Sequence, residues 1–367
     1  MKILTVLGTR PEIIRLSLII QKLDRYCNHV LVHTGQNYAA CLNDIFFDDL
    51  KVRRPDYCLG VRGDTFGEQI GKILIEIEKV LLAERPDRLL VLGDTNSGLA
   101  AVIAKRMGIA VFHLEAGNRC YDDRVPEEVN RRIIDHSSSV LLPYTQRSAA
   151  NLVREGIDRH RIYVTGNPIY EVLQAHKQTI AQSDVLARLG LTARQYFAVT
   201  MHRAENVDVE ERLRNLLEAL RALAQQYSRP VVCSLHPRTR SKLVEFGFGA
   251  SSDAGIRFIE PLGFADFVAL EQNASCVLTD SGTVQEECCI FGIPNLTVRD
   301  VTERPETIEA GSNMLTGVDP QLIVASVRTV LEEPAQWKPP AEYLDAYVSS
   351  KIVKIVLGYA WREEPQS

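Results

Sequence analysis

Four acids in the stretch Leu92–His136, Asp94, Glu115, Glu127 and Glu128, stand beside turns, strand ends and helix starts, two of them directly after apolar runs, and look placed for chemistry. Asp94 comes after RLLVLG, Glu115 after IAVFHL, and Glu127 opens the segment PEEVNRRIIDH with Glu128 beside it. Folded chains keep most carboxylates at the surface, so acids at the ends of buried-strand patterns read as chemistry. Up to three of them in one water-poor cleft would raise at least one pKa, which a general acid working near neutrality requires. The plainer reading of the last segment is two i,i+4 ion pairs on a surface helix, Glu127 with Arg131 and Glu128 with Arg132.

Groups suited to a phosphate stand at other strand ends. Gly8-Thr9-Arg10-Pro11-Glu12 joins a glycine turn, a guanidinium and a helix start, where unpaired N–H groups and the dipole favour an anion. Such turns are also common as plain structure. Arg15 lies one helical turn beyond Pro11 and either faces the same cleft or sits on the surface. Met201–Asn206 follows a strand pattern and carries His202 and Arg203; the imidazole titrates near neutrality and suits donation to a leaving diphosphate. Ser234–Arg238, with His236, and Arg299–Glu306, with Arg304, add further polar and cationic groups for a phosphate. In Thr279–Glu287 a Ser-Gly turn starts a helix: Ser281 and the N–H groups of Gly282 and Thr283 suit a diphosphate. Glu287, about one turn in, suits both hydroxyls of a ribose.

These residues need elements to hold them. Strand patterns at Lys2–Leu7, Val30–His33, Arg88–Leu92, Ala110–Leu114, Val140–Leu142 and Ile162–Val164 alternate with helical patterns that include Asn96–Met107, Glu127–His136 and Arg147–Glu155. A second series follows at Tyr196–Thr200, Pro230–Ser234, Ile256–Ile259, Cys276–Leu278 and Pro294–Val298. Alternation of this kind predicts parallel sheets built from βαβ units. The expected fold is α/β, two doubly wound Rossmann-like domains facing a cleft, over 1–170 and 171–342, with a C-terminal helix at 343–361. Ligands of open α/β sheets bind beyond the carboxyl ends of the strands, where every motif above falls.

Whole-chain numbers narrow the class. The 367 residues exceed one ordinary core, and 46% hydrophobic with 24% charged residues describes a soluble globular protein. A formal charge of -5 leaves no basic stripe for nucleic acid. The N-terminus reads as a buried strand rather than a signal peptide, and no run is long enough for a membrane span, so a cytoplasmic location is expected. The eight cysteines include no C-x-x-C pair and read as reduced thiols. Cys120, after EAGNR, has no evident activating partner and reads as a packing residue. No metal cluster and no nicotinamide fingerprint is visible, so neither cofactor is expected.

Taken in order, GTRPE, HTGQ, GDTNS, HLEAGNR, PEEVNRR, TGNP, HRAEN, TDSGTVQEE and RDVTERPE resemble the non-hydrolysing UDP-N-acetylglucosamine 2-epimerases over roughly Ile3 to Gly317. The resemblance implies a GT-B type fold, a C-terminal helix that crosses back to the first domain, a homodimer and a UDP-sugar substrate. It implies elimination of UDP from C1 with loss of the C2 proton, giving a 2-acetamidoglycal, then re-addition with protonation from the other face. By the same resemblance Arg10 and His202 partner the diphosphate, Asp94, Glu115 and Glu127 are the acid/base candidates, and Phe267 stacks on uracil. Ser281 and Gly282 hold phosphate, Glu287 binds ribose, and Arg304 closes over the nucleotide or sugar.

Several positions depart from the family pattern. Arg15 stands where Lys is usual, Thr283 replaces the second glycine of SGG, and Leu262 replaces a frequent glutamine. Asn37-Tyr38 alters the stretch that in some bacterial members helps bind a second, activating UDP-N-acetylglucosamine. RPEIIRLS, HTGQNY, EAGNRC and SLHPRTR resemble a branch acting on 6-deoxy sugars. That branch implies UDP-2-acetamido-2,6-dideoxy-L-talose converted to UDP-N-acetyl-L-fucosamine for capsule or O-antigen, with UDP-N-acetylglucosamine as the alternative substrate. A GT-B glycosyltransferase, a hydrolysing epimerase and a non-catalytic UDP-sugar binder are the competing classes.

Overall fold

Apolar β-branched runs followed by amphipathic segments build two similar halves. A computed structural model describes residues 1–35, 40–249, 255–333 and 336–359, without the side chains of 40–44. Asn37 and Tyr38, and positions 360–361 of the expected C-terminal helix, lie outside the described residues. The chain forms two compact units, Met1–Gln174 together with the chain from Glu342 on, and Ala175–Ala341.

In the first unit the strands are β1 (Lys2–Leu7), β2 (Asn28–His33), β3 (Tyr57–Cys58), β4 (Arg88–Leu92), β5 (Ala110–Leu114) and β6 (Val140–Leu142). They lie in the order β3-β2-β1-β4-β5-β6, each pair parallel. Helices cover both faces of such a sheet, which is why Ile3, Leu4, Val6 and Leu7 are all buried. Strand order reverses between β1 and β4, and this switch point is where an open sheet takes its ligand. Register sets Leu92 opposite Leu114, so Asp94 and Glu115 leave the sheet from neighbouring strand ends.

The C-terminal segment is a single turn at Ala341–Tyr343 and then a helix at Val348–Gly358, rather than one helix over 343–361. Asp345 accounts for the break: its carboxylate accepts from the Tyr347 N–H at 2.9 Å and pairs with Lys351, which fixes a turn. The helix belongs to the first unit. Lys22 donates to Ser349 and Ser350 at 2.5 and 2.6 Å, Ser349 N–H donates to Glu171 at 2.7 Å, and the Arg88 guanidinium reaches the carbonyls of Val356 and Tyr359.

The second unit repeats the plan with β7 (Phe197–Met201), β8 (Val231–Leu235), β9 (Ile256–Ile259), β10 (Cys276–Thr279), β11 (Asn295–Thr297) and β12 (Asn313–Leu315). The order β12-β11-β10-β7-β8-β9 is again parallel throughout and reverses between β7 and β10. Helix Glu210–Tyr227 shows why the core closes: Leu213, Leu216, Leu217, Leu220 and Leu223 form one buried stripe at helical spacing.

Two further expected elements differ. Ile162–Val164 makes a single parallel bridge, Leu141 to Ile162, and no strand. Asn96–Met107 is a 3-10 turn, Asn96–Leu99, followed by helix Ala100–Arg106.

Candidate functional site

Glu115 ends β5 in the left-handed region, φ 66, a conformation that an L side chain holds only when its surroundings impose it. The imposing contacts are visible. Its carboxylate is paired with the Arg15 guanidinium, both side chains buried, and accepts from Asn118 Nδ2 at 3.2 Å. Arg15 comes from helix Arg10–Tyr26 and also lies over the Tyr144 ring at 5.7 Å. Asp94, beyond β4, takes the Arg131 guanidinium at 2.8 Å. The same Arg131 donates to Glu128 at 2.6 Å.

Glu128 and Glu127 therefore divide their work differently from two surface pairs. Glu128 is fully buried and also accepts from the N–H groups of Cys120 and Tyr121 at 3.0 and 3.2 Å, anchoring the segment after Glu115. Its i,i+4 bond to Arg132 is present at 3.3 Å, whereas Arg131 spans from Glu128 to Asp94. Glu127, on the same helix start, is only partly buried.

A carboxyl raised into the neutral range does lie at this end of the sheet, and it is Glu12. Burial pushes it up to about 7 despite bonds from Thr9, Gly8 and Thr95. One oxygen accepts from Gly8 N–H at 2.9 Å, Thr9 N–H at 2.7 Å and the Thr9 hydroxyl at 2.8 Å; the other accepts from Thr95 at 2.9 Å. Glu12 thus ties the turn that carries Arg10 to the loop that carries Asp94. Arg10 itself is half-buried, its guanidinium 5.7 Å above the Phe46 ring, and desolvation lowers its proton affinity.

His113 braces the same end from below. Its ring reaches the Gly93 carbonyl at 2.8 Å and Asp135 at 2.8 Å, and Asp135 takes Arg119 at 2.8 Å. Burial alone would raise the Asp135 carboxyl, but His113 and Arg119 outweigh it and hold it below its ordinary value.

In the second unit His202 follows β7 at the switch point. Asp280, fully buried after β10, accepts from the N–H groups of His202 and Arg203 at 2.9 Å each and lies 3.1 Å from His202 Nδ1. The buried carboxylate thus orients this partly exposed histidine through Nδ1. The His236 ring stands 5.8 Å away. Its own Nδ1 accepts from Arg238 N–H at 3.2 Å.

Ser281 caps helix Gly282–Phe291, and its N–H donates to Thr279 at 2.9 Å. A Cβ on Gly282 would stand 2.8 Å from a Glu303 carboxylate oxygen, so a side chain here would displace that carboxylate. Thr283, the next residue, is partly buried. Arg203 lies 3.6 Å from Glu303. Arg304 is buried, its guanidinium paired with Glu286. That pairing holds the guanidinium against the helix that follows Ser281. Phe267 is partly buried on helix Phe264–Gln272, and Glu287 is buried on helix Gly282–Phe291.

Glu12, His113, Glu128 and Asp280 were not among the expected site residues. A strand-end position marks Asp280, and the S/T-x-x-E spacing of Thr9 and Glu12 marks a capping box. No local signal marks the other two. Among the described residues no group of three or more His, Cys, Asp or Glu is arranged to hold a metal ion.

Two doubly wound Rossmann-like units in one chain make this a GT-B type fold. Residues 21–357 match the UDP-N-acetylglucosamine 2-epimerase family. The UDP-N-acetylglucosamine 2-epimerase of Methanocaldococcus jannaschii is 44% identical over 97% of this chain and 99% of its own. The UDP-2,3-diacetamido-2,3-dideoxy-D-glucuronate 2-epimerase of Pseudomonas aeruginosa is 39% identical over 92% of this chain and 94% of its own. A crystal structure of the M. jannaschii enzyme in complex with UDP-GlcNAc and UDP superposes with a TM-score of 0.93 at 42% identity, covering 97% of this chain and 99% of that one. The chain belongs to the non-hydrolysing UDP-N-acetylglucosamine 2-epimerase family and is an isomerase.

Proposed function

We propose that this chain epimerises C2 of UDP-N-acetylglucosamine to give UDP-N-acetylmannosamine, reversibly. The C1–O bond to UDP breaks, its electron pair leaving with the diphosphate, as a carboxylate takes the C2 proton and the C1=C2 double bond of a 2-acetamidoglycal forms. UDP then adds back to C1 while C2 is protonated from the opposite face. Because C2–H has no adjacent carbonyl to acidify it, stabilising the departing diphosphate supplies the driving force. Arg10, His202 and the Ser281–Thr283 turn serve the diphosphate, Phe267 and Glu287 the nucleoside, and Asp94, Glu115 and Glu127 the sugar and its proton.

The observation that carries this reading is His202 held through Nδ1 by buried Asp280 at the switch point of the second sheet. That arrangement suits a donor to a leaving phosphate. The names of the similar proteins support N-acetylglucosamine as the sugar, whereas the 6-deoxy substrate rests on resemblance of short motifs alone. Incubation in deuterium oxide, without an acceptor, with UDP-N-acetylglucosamine and separately with UDP-2-acetamido-2,6-dideoxy-L-talose tests both. Deuterium at C2 and the epimer from the first substrate are expected. Turnover of only the 6-deoxy sugar would overturn the substrate, and release of free sugar would overturn the non-hydrolytic course. Replacing His202 by Ala should cost ~10²–10³ in kcat, as loss of one charge-stabilising donor typically does. Near wild-type turnover would refute its role.

A further inference from the structure

Gly93 joins β4 to Asp94, and β5 grips its backbone at both polar groups. Its N–H donates to the Leu114 carbonyl at 3.0 Å, and its carbonyl accepts from His113 Nε2 at 2.8 Å. A carbonyl only accepts, so Nε2 carries a proton. The left-handed bend of Gly93, φ 72, lets both groups meet neighbouring residues of one strand. A Cβ placed on Gly93 would stand 3.8 Å from Glu115 Oε2, so the Glu115 carboxylate lies beside the residue that precedes Asp94. The ring is itself fixed. Nδ1 meets Asp135 Oδ1 at 2.8 Å, while Asp135 Oδ2 takes the Gly117 N–H at 3.2 Å and Arg119 at 2.8 Å. Arg119 is anchored in turn on Glu155 at 2.8 and 2.5 Å. His113 and Asp135 are 1% and 0% exposed, so water does not compete for these bonds.

Resting on the proposed roles of Asp94 and Glu115, we infer that His113 is a positioning residue for proton transfer at C2. Through the Gly93 carbonyl it sets the direction in which the chain carries Asp94 away from β4. Through Asp135 it is tied to the Gly117 amide, two residues beyond Glu115. One buried imidazole thus fixes the gap between two carboxylates that the reaction needs around the sugar. Being buried, it meets no substrate and acts only through these backbone groups. Proton transfer is steep in distance, and a misplacement of about 1 Å can cost about 10²-fold in rate.

The test compares His113→Asn with His113→Gln in the full chain, turning over UDP-N-acetylglucosamine and its C2-deuterated form. The Asn amide takes the place of Nδ1 and keeps the bond to Asp135 without reaching Gly93. The Gln amide takes the place of Nε2 and can still donate to the Gly93 carbonyl. Rates are taken per UDP-binding chain, counted by calorimetric titration, so protein that fails to fold does not enter. His113→Asn should lower kcat by about 10- to 100-fold, leave KM near its wild-type value, and raise the C2 deuterium isotope effect as proton transfer becomes limiting. His113→Gln should stay close to wild type in all three. His113→Leu, which fills the space with neither bond, should behave like His113→Asn and replaces it if that variant binds no UDP. A histidine with a merely structural role would leave the isotope effect unchanged throughout. Wild-type kcat and isotope effect in the Asn or Leu variant, or a Gln variant as slow as these, overturns the inference. Wild type that leaves UDP-N-acetylglucosamine unchanged refutes the proposed reaction instead, a separate failure.

Discussion

Arg15 and Glu115 lie a hundred positions apart in the chain and are each almost wholly buried, so removing either leaves the other's charge in the protein interior without this counter-ion. Breaking such a pair costs about 3–5 kcal/mol. Arg15→Met should therefore lower the free energy of unfolding in urea by that amount. Arg15→Lys, which keeps a cation on the same stem, should lose far less and stay active. A Met variant as stable as wild type would show that the pair contributes nothing. The example also shows what was legible at this scale. Asp94 and Glu115 could be picked out because an acid directly after an apolar run is locally unusual. Their pairing could not, since Arg15 and Arg131 come from other elements brought near only by the fold. Glu128 was visible as an acid but not as the buried one of its pair, because two adjacent carboxylates on a helix start look alike until the neighbouring loop is in place.

Turns decide how the elements meet, and Gly117 is the most demanding of them. It has φ 79, and a Cβ there would stand 2.2 Å from the Ser148 carbonyl oxygen. Gly292 has a similar φ of 70 with nothing within 4 Å. Ala at 292 should cost only the left-handed strain, about 1 kcal/mol, whereas Ala at 117 should exceed about 3 kcal/mol through collision with backbone. Thermal unfolding of the two variants measures the difference, and equal losses would contradict the close approach. Among the elements, strands such as β1 and β5 were legible because they are buried on both faces and so read as unbroken apolar runs. The edge strands β3 and β12, two and three residues long, carry too little pattern to be seen. Ile162–Val164 has strand composition but meets the sheet at one residue only.

For the molecule as a whole, pH acts through buried carboxyls of opposite sign. Glu12 has its folded pKa raised from 4.5 to about 7, so its contribution is fully present below 4.5 and is lost as pH rises toward 7, about 3 kcal/mol in all. Asp135 is lowered below 3.8, so its contribution is present above that value and is lost as pH falls through its folded pKa. Glu12→Gln, whose amide can still accept from Gly8 and Thr9 and donate to Thr95, should flatten the decline between pH 4.5 and 7 seen in denaturant titrations. An unchanged slope would remove Glu12 as its source. The first unit is assembled from two stretches of chain, 1–174 and the segment from Glu342 on, with the second unit, Ala175–Ala341, inserted between them. A ribosome therefore makes all of the second unit before it makes Ser349, Ser350 and the helix that satisfy Lys22, Glu171 and Arg88. A released chain that ends at 341 should present a protease-resistant second unit and a first unit still open to cleavage. Synthesis of the segment from Glu342 on is then the step that commits the acid-bearing half to its fold.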